Sequence, residues 1–316
     1  MILNLLPLTA QEKDAFLQAA PQEEQVFLPM EGLRYHREQV DPALLSRATA
    51  ILGNVPPKDL PLCGALQWLQ TWSAGTDPYT APGVFPSGTA LTSAVGAFGP
   101  SVSEHIFACL LALMKRLPAY RDNQQARVWR DEGQAKTLQD ATVLLLGTGD
   151  LGRHLAAKCK ALGAQTVGLN RHPEKPVEGF DEVRSISELD FWLPGADVVA
   201  LNLPGTPEAH HILDERRLRL MKPDAILLNS GRGGAVDCLA LAKVLQEGHL
   251  WGAALDVTEP EPLPADHPLW GCPTLLLTPH AAGGAHLDST VRRTVAIALD
   301  NLQRYLSRQP LKNQVL

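Results

Sequence analysis

The chain has 316 residues, 45% of them hydrophobic, enough to bury a sizeable core and about what two ordinary domains need. A formal net charge of −6 leaves no overall basic field for holding a phosphate backbone, so nucleic acid is not an expected partner. The five cysteines are odd in number and contain no Cys-x-x-Cys pair, which reads as reduced structural thiols in a cytoplasmic protein.

The opening "MILNLLPLTAQEK" lacks a basic n-region and turns polar early, which predicts a first strand over 2–8 and not a signal peptide. Further strands are predicted at 24–30, 48–55 and 66–72. A helix over 11–20 opens on a capping box, Thr9 and Glu12, and another opens with Asp41 and Pro42. Together these make one small α/β unit. The Gly/Pro/Ser/Thr-rich passage 73–100 has little periodicity and marks a domain edge.

A long helix is then expected to start at a second capping box, Ser101 and Glu104. Its apolar run at 106–114 is the longest in the chain and too short for a bilayer, which takes roughly 20 residues, so no membrane segment is expected. Strand 142–147, helix 151–162 stopped by Gly163, and strand 166–170 form a βαβ unit. Strands at 197–203, 225–230, 252–257 and 274–279 continue this second sheet, and a helical pattern at 286–309 follows it, able to pack back on the first domain. The alternation of strands and helices predicts an α/β fold with doubly wound, largely parallel sheets.

"GTGDLG" at 147–152 follows the strand "ATVLLL" and opens a helix, the setting a G-x-G-x-x-G turn requires. Gly147 allows the tight turn, Gly149 lets backbone approach a pyrophosphate, and Gly152 lets helix and strand pack closely, with Asp150 and Leu151 in the first helical turn. A glycine turn without a ligand is the plainer alternative. Ligands of open α/β sheets gather at the carboxyl ends of strands. Those ends carry Gly147, Asn170 and Arg171, Pro204, Ser230 with Gly231 and Arg232, Asp256, and His280.

Arg232 offers a planar fork for a carboxylate, and its alternative is a surface arginine in a glycine loop. His280 sits among small side chains and suits reversible carbonyl/alcohol chemistry, against the commoner structural histidine. Glu259 and Glu261 lie in a proline-rich loop where either can pair with such a histidine, and a neighbouring carboxylate favours the imidazolium. His210 and His211 have no third ligand at recognisable metal spacing, and Trp129, Trp251 and Trp270 read as packing residues. No G-x-S-x-G elbow supports hydrolase chemistry.

From "SAGTDPY" through "SEHIFACLLALMKRLPAYRDNQQARVWR", "VLLLGTGDLGR", "LNLPGTPEAHHIL", "LMKPDAILLNSGRGGAVD" and "GAALDVTEPEPLPADHPLW" to "LLLTPH", the chain resembles the D-isomer-specific 2-hydroxyacid dehydrogenases, which include glyoxylate/hydroxypyruvate reductases and phosphoglycerate dehydrogenases. The resemblance implies a discontinuous substrate-binding domain (1–99 plus 282–316) and an NAD(P)-binding Rossmann domain (100–281), with the site in the cleft between them and a homodimer built through the coenzyme domain. It also implies Arg232 as the carboxylate and carbonyl ligand and His280 as the acid/base. Glu261, five residues after Asp256, is then its partner in preference to Glu259. Asp256 is implied near the nicotinamide carboxamide, and the backbone around Ala74 and Gly75 completes the carboxylate cradle. Trp72 or Tyr79 can be drawn as the acyl wall, with core packing as the alternative.

"GLNRHPEK" at 168–175 lies where such units place an acid that holds the adenosine ribose, and it has Asn170, Arg171 and His172 instead. Without an acid to repel a 2′-phosphate, and with a guanidinium beside it, NADP is the expected cofactor, NAD the alternative. The expected reaction is reduction of a small 2-oxoacid to its D-2-hydroxyacid. A nucleotide-sensing regulator on the same fold, or a family dehydrogenase for phosphoglycerate, formate or phosphite, is the competing reading.

Overall fold

The computed structural model describes residues 1–28, 40–284 and 287–316, and the chain divides into two compact units, Met1–Phe98 with Gly283–Leu316, and Gly99–Ala282. The end of the strand expected at 24–30 and the first residue of the helix expected at 286–309 lie outside the described residues.

In the first unit β1 (Ile2–Asn4), α1 (Ala10–Ala19), β2 (Gln25–Phe27), α2 (Pro42–Arg47), β3 (Ala50–Leu52), β4 (Trp68–Gln70), α3 (Asp77–Thr80) and β5 (Ala90–Thr92) build a five-stranded parallel sheet in the order β2-β1-β3-β4-β5. Successive strand residues point to opposite faces. Leu3, Ile51, Leu69 and Leu91 therefore meet Leu45 of α2 on one side. Ile2, Leu52 and Trp68 meet Phe16 of α1 and Val295, Ala298 and Leu302 of the C-terminal helix Asp288–Leu306 on the other. Asn301 of that helix is fully buried and satisfied, donating to Gln70 Oε1 at 2.8 Å and to the Lys312 carbonyl at 3.0 Å.

Both local caps form here. The Thr9 hydroxyl accepts the Glu12 N–H while the Glu12 carboxylate accepts the Thr9 N–H, and the Asp41 carboxylate accepts the Ala43 N–H. The strand β5 falls inside the passage 73–100, where three residues are too few to carry a period. Trp72 and Tyr79 are core residues and not a substrate wall: they are 1% and 4% exposed, and the Tyr79 hydroxyl donates to the Val55 carbonyl at 2.8 Å.

The second unit runs through α4 (Gly99–Met114), α5 (Leu117–Ala126), β6 (Thr142–Leu146), α6 (Asp150–Ala161), β7 (Gln165–Asn170), β8 (Glu182–Ser185), α7 (Leu189–Trp192), β9 (Val198–Leu201), α8 (Glu215–Leu220), β10 (Ile226–Asn229), α9 (Cys238–Gln246), β11 (Gly252–Leu255) and β12 (Leu275–Leu277). Its seven strands are parallel in the order β12-β11-β10-β9-β6-β7-β8. Along β6, Val143 and Leu145 enter one apolar cluster and Leu144 and Leu146 the other, which is why the strand reads as an unbroken apolar run. Edge strand β8, "EVRS", is polar and not fully buried, so no hydrophobic pattern announces it.

The second capping box does not form. The helix α4 begins at Gly99, leaving Ser101 and Glu104 inside it, and the Gly99 N–H donates to the Asp150 carboxylate at 2.9 Å. The cap comes from a residue far along the chain, which local spacing does not encode. Trp129 and Trp270 are exposed, 105% and 58%, and are not packing residues, whereas the Trp251 ring lies under the Arg116 guanidinium at 4.1 Å. All five cysteines are free thiols, and burial pushes Cys63 up to about 11 and Cys159 up to about 12. Among the described residues no helix is long and apolar enough to cross a membrane.

Candidate active site

Strand order reverses between β6 and β9, the place where an open parallel sheet offers a crevice at its carboxyl edge. The chain leaves β6 through Gly147, whose φ is +100° and whose added Cβ would stand 2.7 Å from the Asn202 carbonyl oxygen. A Cβ on Gly152 would stand 2.1 Å from the Gly147 oxygen, whereas one on Gly149 would meet nothing within 4 Å. Gly147 and Gly152 thus serve the packing of the turn, and Gly149 faces open space.

Gly149 also begins α6 without a side-chain cap, so the partial positive charge of that helix end is left for a ligand. Leu151 is half-buried in the first turn. The Asp150 side chain turns elsewhere, to the Gly99 N–H and to within 3.5 Å of His154 Nε2, which leaves its backbone for a ligand.

At the end of β7, Asn170 Nδ2 donates to the Thr148 hydroxyl at 2.8 Å and Asn170 Oδ1 accepts the His172 N–H at 2.8 Å. The amide therefore ties the glycine turn to the loop that carries Arg171, which is exposed. Glu208 is held below the usual carboxylate range by a backbone N–H, then the Thr206 hydroxyl, then the charge of Arg171. His172 Nδ1 lies 3.4 Å from Glu174 Oε1. Beyond β9, shortly before Pro204, Asn202 Oδ1 accepts the Ser230 hydroxyl at 3.3 Å, while its buried Nδ2 has no hydrogen-bond partner among the described residues. An open glycine on an uncapped helix N-terminus, beside an orphaned amide, fits the diphosphate of a dinucleotide.

Asn229, fully buried at the end of β10, shapes the next loop: its Oδ1 accepts the Gly231 N–H at 3.1 Å and its Nδ2 donates to the Arg232 carbonyl at 2.9 Å. A Cβ on Gly231 would crowd the Leu203 backbone at 2.9 Å, and one on Gly233 the Thr258 carbonyl oxygen at 2.0 Å, so the loop lies pressed between its neighbours. Arg232 is half-buried with Nη1 on the Gly231 carbonyl at 2.8 Å.

Asp256, 3% exposed after β11, braces the loop beyond β12. Its Oδ1 accepts the Thr278 hydroxyl at 2.6 Å and the Ala281 N–H at 2.9 Å, its Oδ2 accepts the Ala282 N–H at 3.2 Å, and its carbonyl accepts the His280 N–H at 2.8 Å. His105 Nε2 reaches the Thr278 hydroxyl from α4 at 3.0 Å. Those bonds hold His280 at φ +52°, a left-handed conformation that costs a non-glycine residue on the order of 1 kcal/mol. The His280 Nδ1 then stands 2.8 Å from Glu261 Oε1.

Glu259 faces the other way. Its Oε2 lies 2.8 Å from His210 Nε2 and 3.5 Å from His211 Nε2, so the two histidines do acquire a third potential ligand, which chain spacing alone had not suggested. In the first unit, Ala74 and Gly75 follow a turn in which the Thr71 hydroxyl donates to the Ser73 carbonyl at 2.8 Å and the Ser73 hydroxyl to the Gly75 carbonyl at 2.7 Å. Sequence reasoning passed over Thr148, Asn202, Asn229 and the His105–Thr278 contact. Asn202 and Asn229 had a signal, an amide closing an otherwise apolar strand, whereas His105 and Thr278 are joined only by the fold.

A family model described as "D-isomer specific 2-hydroxyacid dehydrogenase, NAD binding domain" matches residues 107–282. Glyoxylate/hydroxypyruvate reductase B of Pectobacterium carotovorum subsp. carotovorum is 30% identical over 285 residues, 87% of this chain and 88% of that one. The crystal structure of a D-isomer specific 2-hydroxyacid dehydrogenase family protein from Aeromonas salmonicida is similar at a TM-score of 0.84 and 34% identity, covering 100% of this chain and 98% of that one. The NADPH-dependent glyoxylate/hydroxypyruvate reductase of Sinorhizobium meliloti, in complex with NADP and sulfate, is similar at a TM-score of 0.80 and 26% identity, covering 99% and 97%.

Proposed function

The chain belongs to the D-isomer-specific 2-hydroxyacid dehydrogenase family and is an NAD(P)-dependent oxidoreductase, and on that footing we propose that it reduces a small 2-oxoacid of the glyoxylate or hydroxypyruvate kind to the D-2-hydroxyacid. The observation that carries the reading is the 2.8 Å pairing of His280 with Glu261 beyond the carboxyl ends of β12 and β11. A bound reduced nicotinamide supplies the hydride for the carbonyl carbon. His280, its Nδ1–H held by Glu261, gives its Nε2 proton to the oxygen on which charge develops, and Glu261 stabilises the imidazolium before that transfer. Arg232 binds the substrate carboxylate through two hydrogen bonds and offsets the growing charge. Asp256 acts by holding the His280 loop, its carboxylate bonds being spent on that loop.

Backbone from Gly149 to Gly152 and the Asn202 amide would hold the diphosphate, with Pro204, Ser230 and Gly231 along the crevice. The preferred donor is NADPH. Supporting this are the amide of Asn170, an exposed Arg171 directly after it, and the bound NADP of the Sinorhizobium relative. The chain is assigned a homodimer through its second unit, where Trp129 is fully exposed and Val128 and Leu117 are 45% and 54% exposed.

The test is turnover of glyoxylate, hydroxypyruvate, pyruvate, phenylpyruvate and ketopantoate with NADPH and NADH. Glyoxylate and hydroxypyruvate should be reduced fastest, and with NADPH. Tight nucleotide binding without turnover of any of them would replace the enzyme by a nucleotide-sensing regulator.

A further inference from the structure

We infer that His210, His211 and Glu259 form a binding site for a divalent transition-metal ion, zinc by its ligand chemistry. The inference is independent of the proposed reaction. The Nε2 atoms of both histidines converge on one oxygen, Glu259 Oε2, at 2.8 and 3.5 Å, and the three ligand atoms lie within 4.8 Å of one another. Zinc binds imidazole nitrogen and carboxylate oxygen at about 2.0–2.2 Å, so two ligands on one tetrahedral ion stand roughly 3.4 Å apart. The His211–Glu259 separation is already near that spacing and the His210–Glu259 separation is about 0.6 Å short of it; rotation of the imidazole rings brings both Nε2 lone pairs onto one ion, and water completes the coordination.

Adjacent side chains of an extended segment point to opposite sides. Here they do not: the His211 backbone adopts φ +47°, and its ring stacks on His210 with centroids 4.0 Å apart and planes 18° apart. The arrangement is anchored by the His211 N–H on the Gly234 carbonyl at 2.7 Å. Gly234 also leaves room, since a Cβ there would come within 3.1 Å of both the Glu259 carboxylate and the His210 ring. Imidazole nitrogen and carboxylate oxygen together form a ligand set that one divalent transition-metal cation takes. An ion so held joins the loops beyond β9 and β11 to that beyond β10. Gly234 lies two residues after Arg232, and Glu259 two before Glu261, so occupancy would stiffen both loops of the proposed site.

The test is isothermal titration of the chelator-treated 316-residue chain with ZnCl2 and with NiCl2, with and without NADPH, in a Cys109→Ser background that removes the one thiol not buried. The expected result is one saturable ion per chain and a raised thermal midpoint. Glu259→Gln, His210→Ala and His211→Ala should each weaken binding by about tenfold or more while circular dichroism stays unchanged. Absence of saturable binding, or equal affinity in Glu259→Gln and the parent, meaning an adventitious ion only, would overturn the assignment. Should a histidine variant fail to fold, the surface change Glu259→Gln still decides it.

Discussion

His280 Nδ1 lies 2.8 Å from Glu261 Oε1, across loops that follow the adjacent strands β12 and β11. Replacing His280 by Ala should lower kcat with glyoxylate by about 10²–10⁴-fold and leave NADPH binding intact. Glu261→Gln keeps a hydrogen-bonding group without its charge, and its loss should be smaller. Steady-state kinetics paired with a fluorescence titration of NADPH separates the two effects, and near-normal turnover in His280→Ala would remove it from proton transfer.

Two glycines of the turn should part company on substitution. Gly152→Ala drives a Cβ into the Gly147 carbonyl and is expected to destabilise the protein by about 1–3 kcal/mol or more. Gly149→Ala meets no protein atom, so its melting temperature should hold while the KM for NADPH rises. Thermal melts and cofactor titrations of the pair would show it; equal loss of stability in both would contradict the assignment of Gly149 to the ligand.

Arg171→Ala should raise the KM for NADPH by about tenfold or more, the worth of a charge-assisted hydrogen bond, and change that for NADH little. An equal rise for both cofactors would place Arg171 outside 2′-phosphate recognition.

Asn229→Ala leaves the Gly231 N–H and the Arg232 carbonyl without their partner in a buried position. Each orphaned group costs about 1–3 kcal/mol. Urea denaturation should report that loss, and kcat/KM should fall with it because the same bonds set the Arg232 loop. Unchanged kcat/KM in the folded variant would separate the loop from substrate binding.

Acid stability should depend on Asp197. Burial works against its charge, but the Lys222 ammonium at 2.5 Å and the Thr142 N–H at 2.9 Å outweigh that and hold the carboxyl below its ordinary value. A lowered folded-state value means the stabilisation is full above the unfolded carboxylate range, about pH 4, and is lost as pH falls through the folded value. Lys222, raised chiefly by its hydrogen bond to Asp197, contributes in the opposite sense and loses its share only as pH rises through its own folded value. Asp197→Asn should therefore be less stable than the parent at pH 7 and converge with it in acid, as urea midpoints at the two pH values would show. A constant gap would mean the pair carries no linkage.

Much of the fold is legible because its signals are local. Central strands such as β6 and β9 are continuous apolar runs, and α1 announces itself by a cap three residues from its partner. The strand β5 is too short to show a period, polar β8 shows none, and the cap of α4 is supplied by Asp150 of another helix. The site divides in the same way. The glycine turn and the polar strand ends, Asn170, Arg232 and His280 among them, stand out along the chain.

The sequence by itself determined the two-sheet α/β class, the setting of the glycine turn and the missing acid after β7, since each rests on periodicity or neighbours within a few residues. Only the tertiary structure decided where each carboxylate goes. Glu261 meets His280, Glu259 meets His210 and His211, Asp256 turns in to brace the His280 loop, and Asp150 caps α4. Two glutamates of one loop are equivalent as letters. They part because neighbouring strand ends bring different histidines within hydrogen-bond reach, a distance that exists only after the sheet has formed.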